Sequence, residues 1–334
     1  MKPGKLNLIT DIAGLCVGNA QDDKINTGVT VLSGNQPFLA SVDVMGGAPG
    51  TRETDCLAAE NLVNQVDAIV LAGGSAFGLD AASGVTDALA EQKRGYQVGP
   101  VHVPIVPAAI LFDLINGGDK QWQRNPYGQL GRDALNACAT DFALGSAGAG
   151  KGATTATLKG GLGSASIVLP SGHTVGALVA ANPHGNPLVP NSKQFWAAPF
   201  EVDNEFGGLG VCTNVQPLHE PQNNKFDAYD AKANTTIGIV ATDAVLDKAQ
   251  AKRLAVAAQD GLARAIVPSH TLFDGDLIFG VSTLEKPMVE ADSLALQMAL
   301  GHAASLCMAR AVARAVYLAS SSENDTMPCW QDLS

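Results

Sequence analysis

Aromatic residues are scarce in this chain, at 5% of 334 positions, and charged residues make up only 16%. A core cannot rest on stacked rings. It has to come from Ala, Val, Leu and Ile, with 36 glycines letting backbones approach closely. Positive charge is also in short supply: 21 Lys and Arg stand against 32 Asp and Glu, for a formal net charge of −11. No basic cluster offsets that balance, which argues against nucleic acid and anionic membrane as partners. No charge-free apolar run of about 18 residues exists. The longest helical candidate, from about 293 to 319, carries His302, Arg310 and Arg314. The start of the chain makes a poor signal peptide, because Asp11 interrupts its apolar run. None of the six cysteines forms a C-x-x-C pair. They read as free thiols of a reducing, cytoplasmic setting rather than as a metal or disulfide framework. The six histidines make no H-E-x-x-H set and no serine sits in a G-x-S-x-G elbow. A metal hydrolase and a Ser-His-Asp enzyme are therefore unsupported, and neither metal nor cofactor is expected. His184 and His270 read as structural or surface residues.

What is present is a large apolar fraction, 46% of the chain, organised as alternating strand and helix signals. Residues 29–32 and 39–44 read as two strands of a hairpin-like pair. Residues 46–55 read as a glycine turn entering a capped helix, and 68–71 as a buried strand running through 73–78 into a helix. A second strand pair is expected at 166–169 and 174–180. An irregular stretch from 182 to about 233 is longer than compact connections usually are, which marks it as functional or flexible. A strand follows at 236–241, then a helix capped by Asp243 and running to about 266, then a turn and strand from 274. The last dozen residues read as a frayed tail. With no internal repeat and no clear linker, one compact α/β domain over 1–334 is expected, two packed sheets covered outside by helices.

Four segments could carry chemistry. Gly145-Ser146-Ala147-Gly148-Ala149-Gly150-Lys151-Gly152 nearly spells a phosphate loop, but Gly152 stands where the Mg²⁺-binding Ser or Thr belongs. Gly73-Gly74-Ser75-Ala76-Phe77-Gly78 lacks the G-x-G-x-x-G order, so a tight turn lining a pocket fits it better. Asp274-Gly275-Asp276 sets two carboxylates around a turn, a pattern that serves acid–base work, metal binding or the turn itself. Asn234-Thr235-Thr236 directly precedes a β-branched run. It reads either as an ordinary turn and strand or as a cleavage point. In the second case a new N-terminal Thr would carry nucleophile and base on one residue.

Taken together, these segments resemble the self-processing N-terminal-nucleophile hydrolases that include L-aminopeptidase D-amidase/D-esterase, β-peptidyl aminopeptidases and the nylon-oligomer (6-aminohexanoate oligomer) hydrolases. The resemblance is carried by Gly46-Gly47-Ala48-Pro49-Gly50-Thr51-Arg52-Glu53-Thr54, Leu71-Ala72-Gly73-Gly74-Ser75-Ala76-Phe77-Gly78-Leu79, Pro107-Ala108-Ala109-Ile110-Leu111-Phe112-Asp113-Leu114, Val179-Ala180-Ala181-Asn182-Pro183, Asn234-Thr235-Thr236 and Asp274-Gly275-Asp276. It implies a four-layer αββα sandwich and self-cleavage between Asn234 and Thr235 into 1–234 and 235–334. It also implies a tetramer of processed protomers acting on a small amide or short peptide. Thr235 would be the nucleophile, Lys159 and Asn182 the oxyanion donors, and Asp274 and Asp276 the groups orienting the Thr235 hydroxyl and amine. Gly74, Ser75, Phe112 and Gly148 would line the pocket, with Phe112 where nylon-oligomer hydrolases carry a Tyr. Ornithine acetyltransferases share the self-cutting Thr, so acyl transfer is the alternative chemistry, although their lysine-glycine-methionine segment is missing. An uncleaved binding protein is the non-enzymatic alternative.

Overall fold

Period-two alternation with both faces apolar dictates strands buried on both sides, and these strands supply the frame. A computed structural model describes residues 1–216, 220, 225, 234–289, 293–323 and 325–333. The strands are β1 (Leu15–Asp22), β2 (Thr27–Val44), β3 (Thr51–Arg52), β4 (Gln65–Ala72), β5 (Tyr96–Val98), β6 (Val101–Val103), β7 (Ala108–Ile110), β8 (Gly161–Val168), β9 (Thr174–Asn182), β10 (Thr235–Ala244) and β11 (Leu277–Lys286). The helices are α1 (Asp80–Glu91), α2 (Tyr127–Asn136), α3 (Lys248–Ala265) and α4 (Ser293–Tyr317). Nine strands join in the order β3-β7-β4-β2-β11-β10-β9-β8, with β1 also paired to β2, while β5 and β6 form a separate ribbon. The β4–β7 and β10–β11 pairs are parallel and the rest antiparallel.

Three apolar layers separate the elements. On β4, Ala68, Val70 and Ala72 face α1 and α2, while Ile69 and Leu71 face inward. On β9, Val175, Ala177 and Val179 pack with α3 and α4, whereas Leu178 and Ala180 point into the same central layer as Ile69 and Leu71. Ile237 and Ile239 of β10 and Leu277 and Phe279 of β11 complete that centre. The result is helices, sheet, sheet, helices, with the two halves of the sheet joined through the long strand β2. This is the αββα arrangement expected from the sequence. Glycine makes the outer contact close: a Cβ at Gly163 would lie 1.9 Å from the Ala311 carbonyl oxygen of α4.

Several local expectations are corrected. Residues 27–44 form one 18-residue strand rather than a hairpin, because both of its ends find partners, β4 and β1 at one end and β11 at the other. The glycine turn at 46–50 leads into β3 and a single 3₁₀ turn, Asp55–Leu57, rather than a longer helix. The cap of α3 is Asp247, not Asp243. Its carboxylate accepts from the Gln250 amide at 2.7 Å, and the Gln250 side chain accepts from the Asp247 amide at 2.9 Å. Asp243 instead ends β10, accepting from the Thr174 amide at 2.9 Å and pairing with Lys286 at 2.9 Å. The carboxyl-terminal residues are not frayed: Cys329 is buried, and the Trp330 ring lies 4.9 Å from Tyr317 and 6.1 Å from Phe195. Among the described residues no helix is long and apolar enough to cross a membrane.

Candidate active site

Two neighbouring strand ends bring the chemistry-bearing residues together. Thr235 opens β10 and stands opposite Asn182, the last residue of β9. On its other side, Asn234 bridges to Asp274, just before β11. The antiparallel β9–β10 pair and the parallel β10–β11 pair thus place Asn182, Thr235 and the 274–276 turn side by side, though they are far apart in sequence.

Thr235 is buried, and its hydroxyl donates to the carbonyl oxygen of Asn234, which belongs to the peptide bond that self-cleavage would break. The Gly275 amide donates to the same carbonyl oxygen at 2.9 Å and also lies 3.2 Å from Thr235 Oγ1. One backbone N–H therefore touches both the Thr235 hydroxyl and the carbonyl oxygen of the residue before it. Glycine is required there, because a Cβ at position 275 would stand 2.8 Å from Thr235 Oγ1 and 2.7 Å from the Ala48 carbonyl oxygen. The 46–49 loop clamps the turn. Gly46 donates to the Asp276 carbonyl at 3.0 Å and Ala48 to the Asp274 carbonyl at 2.8 Å.

Asp276 holds the residue after Thr235, whereas the Asp274 carboxylate holds the neighbouring loops, and neither is bonded to the Thr235 hydroxyl itself. Asp276 Oδ1 accepts from the Thr236 amide at 2.7 Å, and Oδ2 accepts from the His270 amide at 3.1 Å. Asp274 accepts from the His184 amide at 2.9 Å, and from the Thr271 amide and hydroxyl at 3.0 and 2.6 Å. Burial, together with the nearby charge of Asp276, raises the Asp274 carboxyl above its ordinary value. His270 Nδ1 lies 3.0 Å from Asp276 Oδ2. Burial disfavours the charged imidazole, but the adjacent Asp276 carboxylate outweighs it, and the net shift is upward. His184 is lowered, chiefly by burial. Its Nδ1 lies 3.3 Å from the side-chain amide of Asn234. Both histidines contact the residues around Thr235, His184 through Asn234 and Asp274 and His270 through Asp276.

Asn182 is fully engaged. Its Oδ1 accepts from the Thr154 amide at 2.9 Å and from Lys225 Nζ at 3.2 Å, and its Nδ2 donates to the Phe112 carbonyl at 3.1 Å. The Thr154 donor fixes which end of the amide is oxygen. Lys159 is buried, and its Nζ pairs with Asp325 at 2.5 Å, while its amide donates to the Pro328 carbonyl at 2.8 Å. In the uncut chain, then, Asn182 Nδ2 and Lys159 Nζ, the donors expected for the oxyanion, bond within the protein, and the Gly275 amide meets the scissile carbonyl.

The expected pocket residues separate into two groups. Phe112 joins Asn182 through its carbonyl, and the next residue, Asp113, accepts from the Gly74 amide at 2.7 Å and the Thr27 hydroxyl at 2.6 Å. Gly74 and Ser75 thus follow the same wall, with the Ser75 amide donating to the Leu111 carbonyl at 2.9 Å. Gly148 lies elsewhere. Its amide donates to Gln21 Oε1 at 2.9 Å, and a Cβ there would meet Thr30 and Asn19. Lys151 of the same window pairs with Asp23 at 2.6 Å. Sequence reasoning missed Gly275, Lys225 and Asp325 as members of the site. Gly275 could have been found as the residue between the two carboxylates. The other two come from remote segments and carry no local signal.

The profile of peptidase family S58 matches residues 7–327. The chain is 41% identical over 323 residues to an uncharacterized aminopeptidase of Mycobacterium tuberculosis (strain ATCC 25618 / H37Rv), covering 92% of each. It is 29% identical over 299 residues to the 6-aminohexanoate-oligomer endohydrolase of Kocuria sp. (strain KY2), covering 84% of this chain and 76% of that one. Among solved structures it resembles a Burkholderia sp. beta-aminopeptidase, with a TM-score of 0.72 and 24% identity over 98% of this chain and 92% of that one. It also resembles the L-aminopeptidase D-Ala-esterase/amidase of Ochrobactrum anthropi, described as a variant of the Ntn hydrolase fold, with a TM-score of 0.69 and 20% identity over 98% of this chain and 91% of that one.

Proposed function

Because the chain belongs to peptidase family S58, we propose that it is a self-processing amide hydrolase whose nucleophile is Thr235. The observation that carries this reading is the seating of the Thr235 hydroxyl on the Asn234 carbonyl, with the Gly275 amide on the same oxygen. Thr235 Oγ1 adds to the Asn234 carbonyl carbon, and the Gly275 N–H takes up the charge that forms on oxygen. Collapse breaks the C–N bond as the proton lost from Oγ1 passes to the departing nitrogen, leaving Asn234 as an ester on Oγ1 and freeing the Thr235 amine. Water then hydrolyses the ester, giving the Asn234 carboxylate and restoring the hydroxyl. A free α-amine has an ordinary pKa of about 8, which suits it to take the hydroxyl proton near neutral pH. The same hydroxyl then attacks a substrate amide, the amine leaving group departs, and water clears the acyl-enzyme.

The similarity to a relative named an aminopeptidase favours short peptides and aminoacyl amides as substrates. The weaker similarity to 6-aminohexanoate-oligomer endohydrolases makes nylon-type oligomers the second reading. Purified, processed protein assayed on amino-acid p-nitroanilides and on 6-aminohexanoate oligomers tests both. Hydrolysis of p-nitroanilides is expected. Hydrolysis of the oligomers alone would favour the second reading, and acetyl transfer from acetylornithine to glutamate without hydrolysis of either would contradict the proposal.

A further inference from the structure

Two thiols meet on the side of β1 that faces α1 and α2. Val17 of that strand and Ala139, just past α2, exchange backbone hydrogen bonds in both directions, at 2.9 and 3.1 Å. Side chains alternate across such a pair, so Cys16 and Cys138, each one residue earlier, fall on the same face. Both reach over β2. Cys16 Sγ lies 3.5 Å from the Ser33 carbonyl oxygen, and Cys138 Sγ lies 3.8 Å from that of Val31, two residues earlier. The two thiols are also hydrogen-bonded to each other, and both residues are only partly buried. Arg94 adds positive charge at the same place: its Nη2 donates to the Gly34 carbonyl at 2.8 Å and to Ser33 Oγ at 3.3 Å. The hydrogen bond with Cys138, helped by the charge of Arg94, brings the Cys16 thiol down to about 7 against the opposing effect of burial. Cys138 moves the other way, because it shares that bond with Cys16 and is itself shielded from water. Neither β1 nor the segment after α2 carries a residue of the site around Thr235, so the function proposed above makes no use of this pair.

We propose that Cys16 and Cys138 form a thiol–disulfide exchange site: Cys16 attacks a low-molecular-weight disulfide, Cys138 resolves the product, and a reversible link joins β1 to the segment after α2. The Cys16 thiolate attacks one sulfur of the small disulfide. Its S–S bond breaks, and half of it leaves as a thiol, taking the proton that Cys16 gave up. Cys16 now holds the other half as a mixed disulfide. The thiol that chiefly kept Cys138 protonated is thereby consumed. Cys138 loses its proton and attacks Cys16 Sγ, and the second small thiol leaves with that proton. Two protein thiols are oxidised, and one small disulfide is reduced to two thiols. The first attack falls to Cys16 because exchange follows thiolate character and access.

The test uses the uncut Thr235→Ala chain (T235A), which makes its outcome independent of processing and turnover. Incubated with oxidised glutathione near neutral pH, then alkylated and digested, T235A should yield a peptide linking Cys16 to Cys138 that dithiothreitol separates. In T235A/C138A the first step has no resolving partner, and Cys16 should remain as the mixed disulfide with glutathione. In T235A/C16A, Cys138 should stay unmodified. Brief iodoacetamide labelling of reduced T235A should modify Cys16 roughly tenfold faster than Cys56, a partly buried thiol that burial and Glu53 push up. A pair that stays unlinked, a link to another cysteine in its place, or labelling of Cys16 no faster than that of Cys56 would overturn the proposal. Should either double variant fail to fold, the linked peptide and the labelling rates of T235A decide alone.

Discussion

Thr235 is held by one backbone donor and, through the residue that follows it, by one carboxylate. The Gly275 amide touches its hydroxyl, and Asp276 fixes the Thr236 amide that follows it. Substituting Gly275→Ala keeps the N–H but drives a Cβ toward Thr235 Oγ1 and the Ala48 carbonyl. Displacing one such donor costs about 2.7–4 kcal/mol of transition-state stabilisation, so processing, followed by gel electrophoresis over time, should slow roughly 10²- to 10³-fold. Asp276→Ala leaves the buried Thr236 amide without its acceptor. It should lower stability by about 1–3 kcal/mol and slow processing and turnover together; wild-type rates for both would reduce the pair of carboxylates to a turn. The His270–Asp276 contact has a pH signature. Because the His270 pKa is raised from its ordinary 6.5, its contribution is complete below about that pH and is lost as pH rises through the folded value. Urea melts of the T235A chain should therefore show a decline above pH 6.5 that His270→Phe flattens. At this scale the sequence exposed Asn234-Thr235 and Asp274-Gly275-Asp276, since hydroxyl and carboxylates around turns are visible as residue types. It hid Lys225 and Asp325, whose roles depend on which remote segment folds over Asn182 and Lys159.

At the scale of elements, strand order does what no local pattern announces. β9, β10 and β11 are neighbours, although residues 183–234 intervene between the first two and α3 between the last two. That adjacency brings Asn182 to Thr235 and Asn234 to Asp274. Strand existence was legible because β-branched runs alternate cleanly. The length of β2 was not, because the polar residues 34–37 in its middle look like a turn until β1 and β11 claim the two ends. The carboxyl-terminal segment was misread for a similar reason: its few apolar residues are anchors, and their partners Phe195 and Tyr317 are distant. That segment carries Asp325, the partner of a Lys159 whose side chain is only 2% exposed. Asp325→Ala leaves a buried ammonium unpaired and should cost about 3–5 kcal/mol, read as a lower urea midpoint of the T235A chain. An unchanged midpoint would show that water or another acceptor replaces the carboxylate.

At the scale of the whole molecule, the layers follow from composition. With few aromatic rings and many small residues, the chain buries its strands between helices that approach at glycine. The four layers present the ends of β9 and β10 to the same site, and everything proposed for function depends on the bond there. The proposed mechanism uses the Thr235 hydroxyl, its own amine and the Gly275 N–H, so p-nitroanilide hydrolysis should persist after EDTA treatment; loss on chelation with recovery on adding Zn²⁺ would require a different mechanism. The most direct test is intact mass spectrometry of the purified wild-type chain beside Thr235→Ala. The wild type is expected to resolve into 1–234 and 235–334, with Thr235 as the new amino terminus, and the variant to remain one inactive chain. A wild-type chain that stays whole after long incubation yet hydrolyses its substrate at full rate would contradict the account.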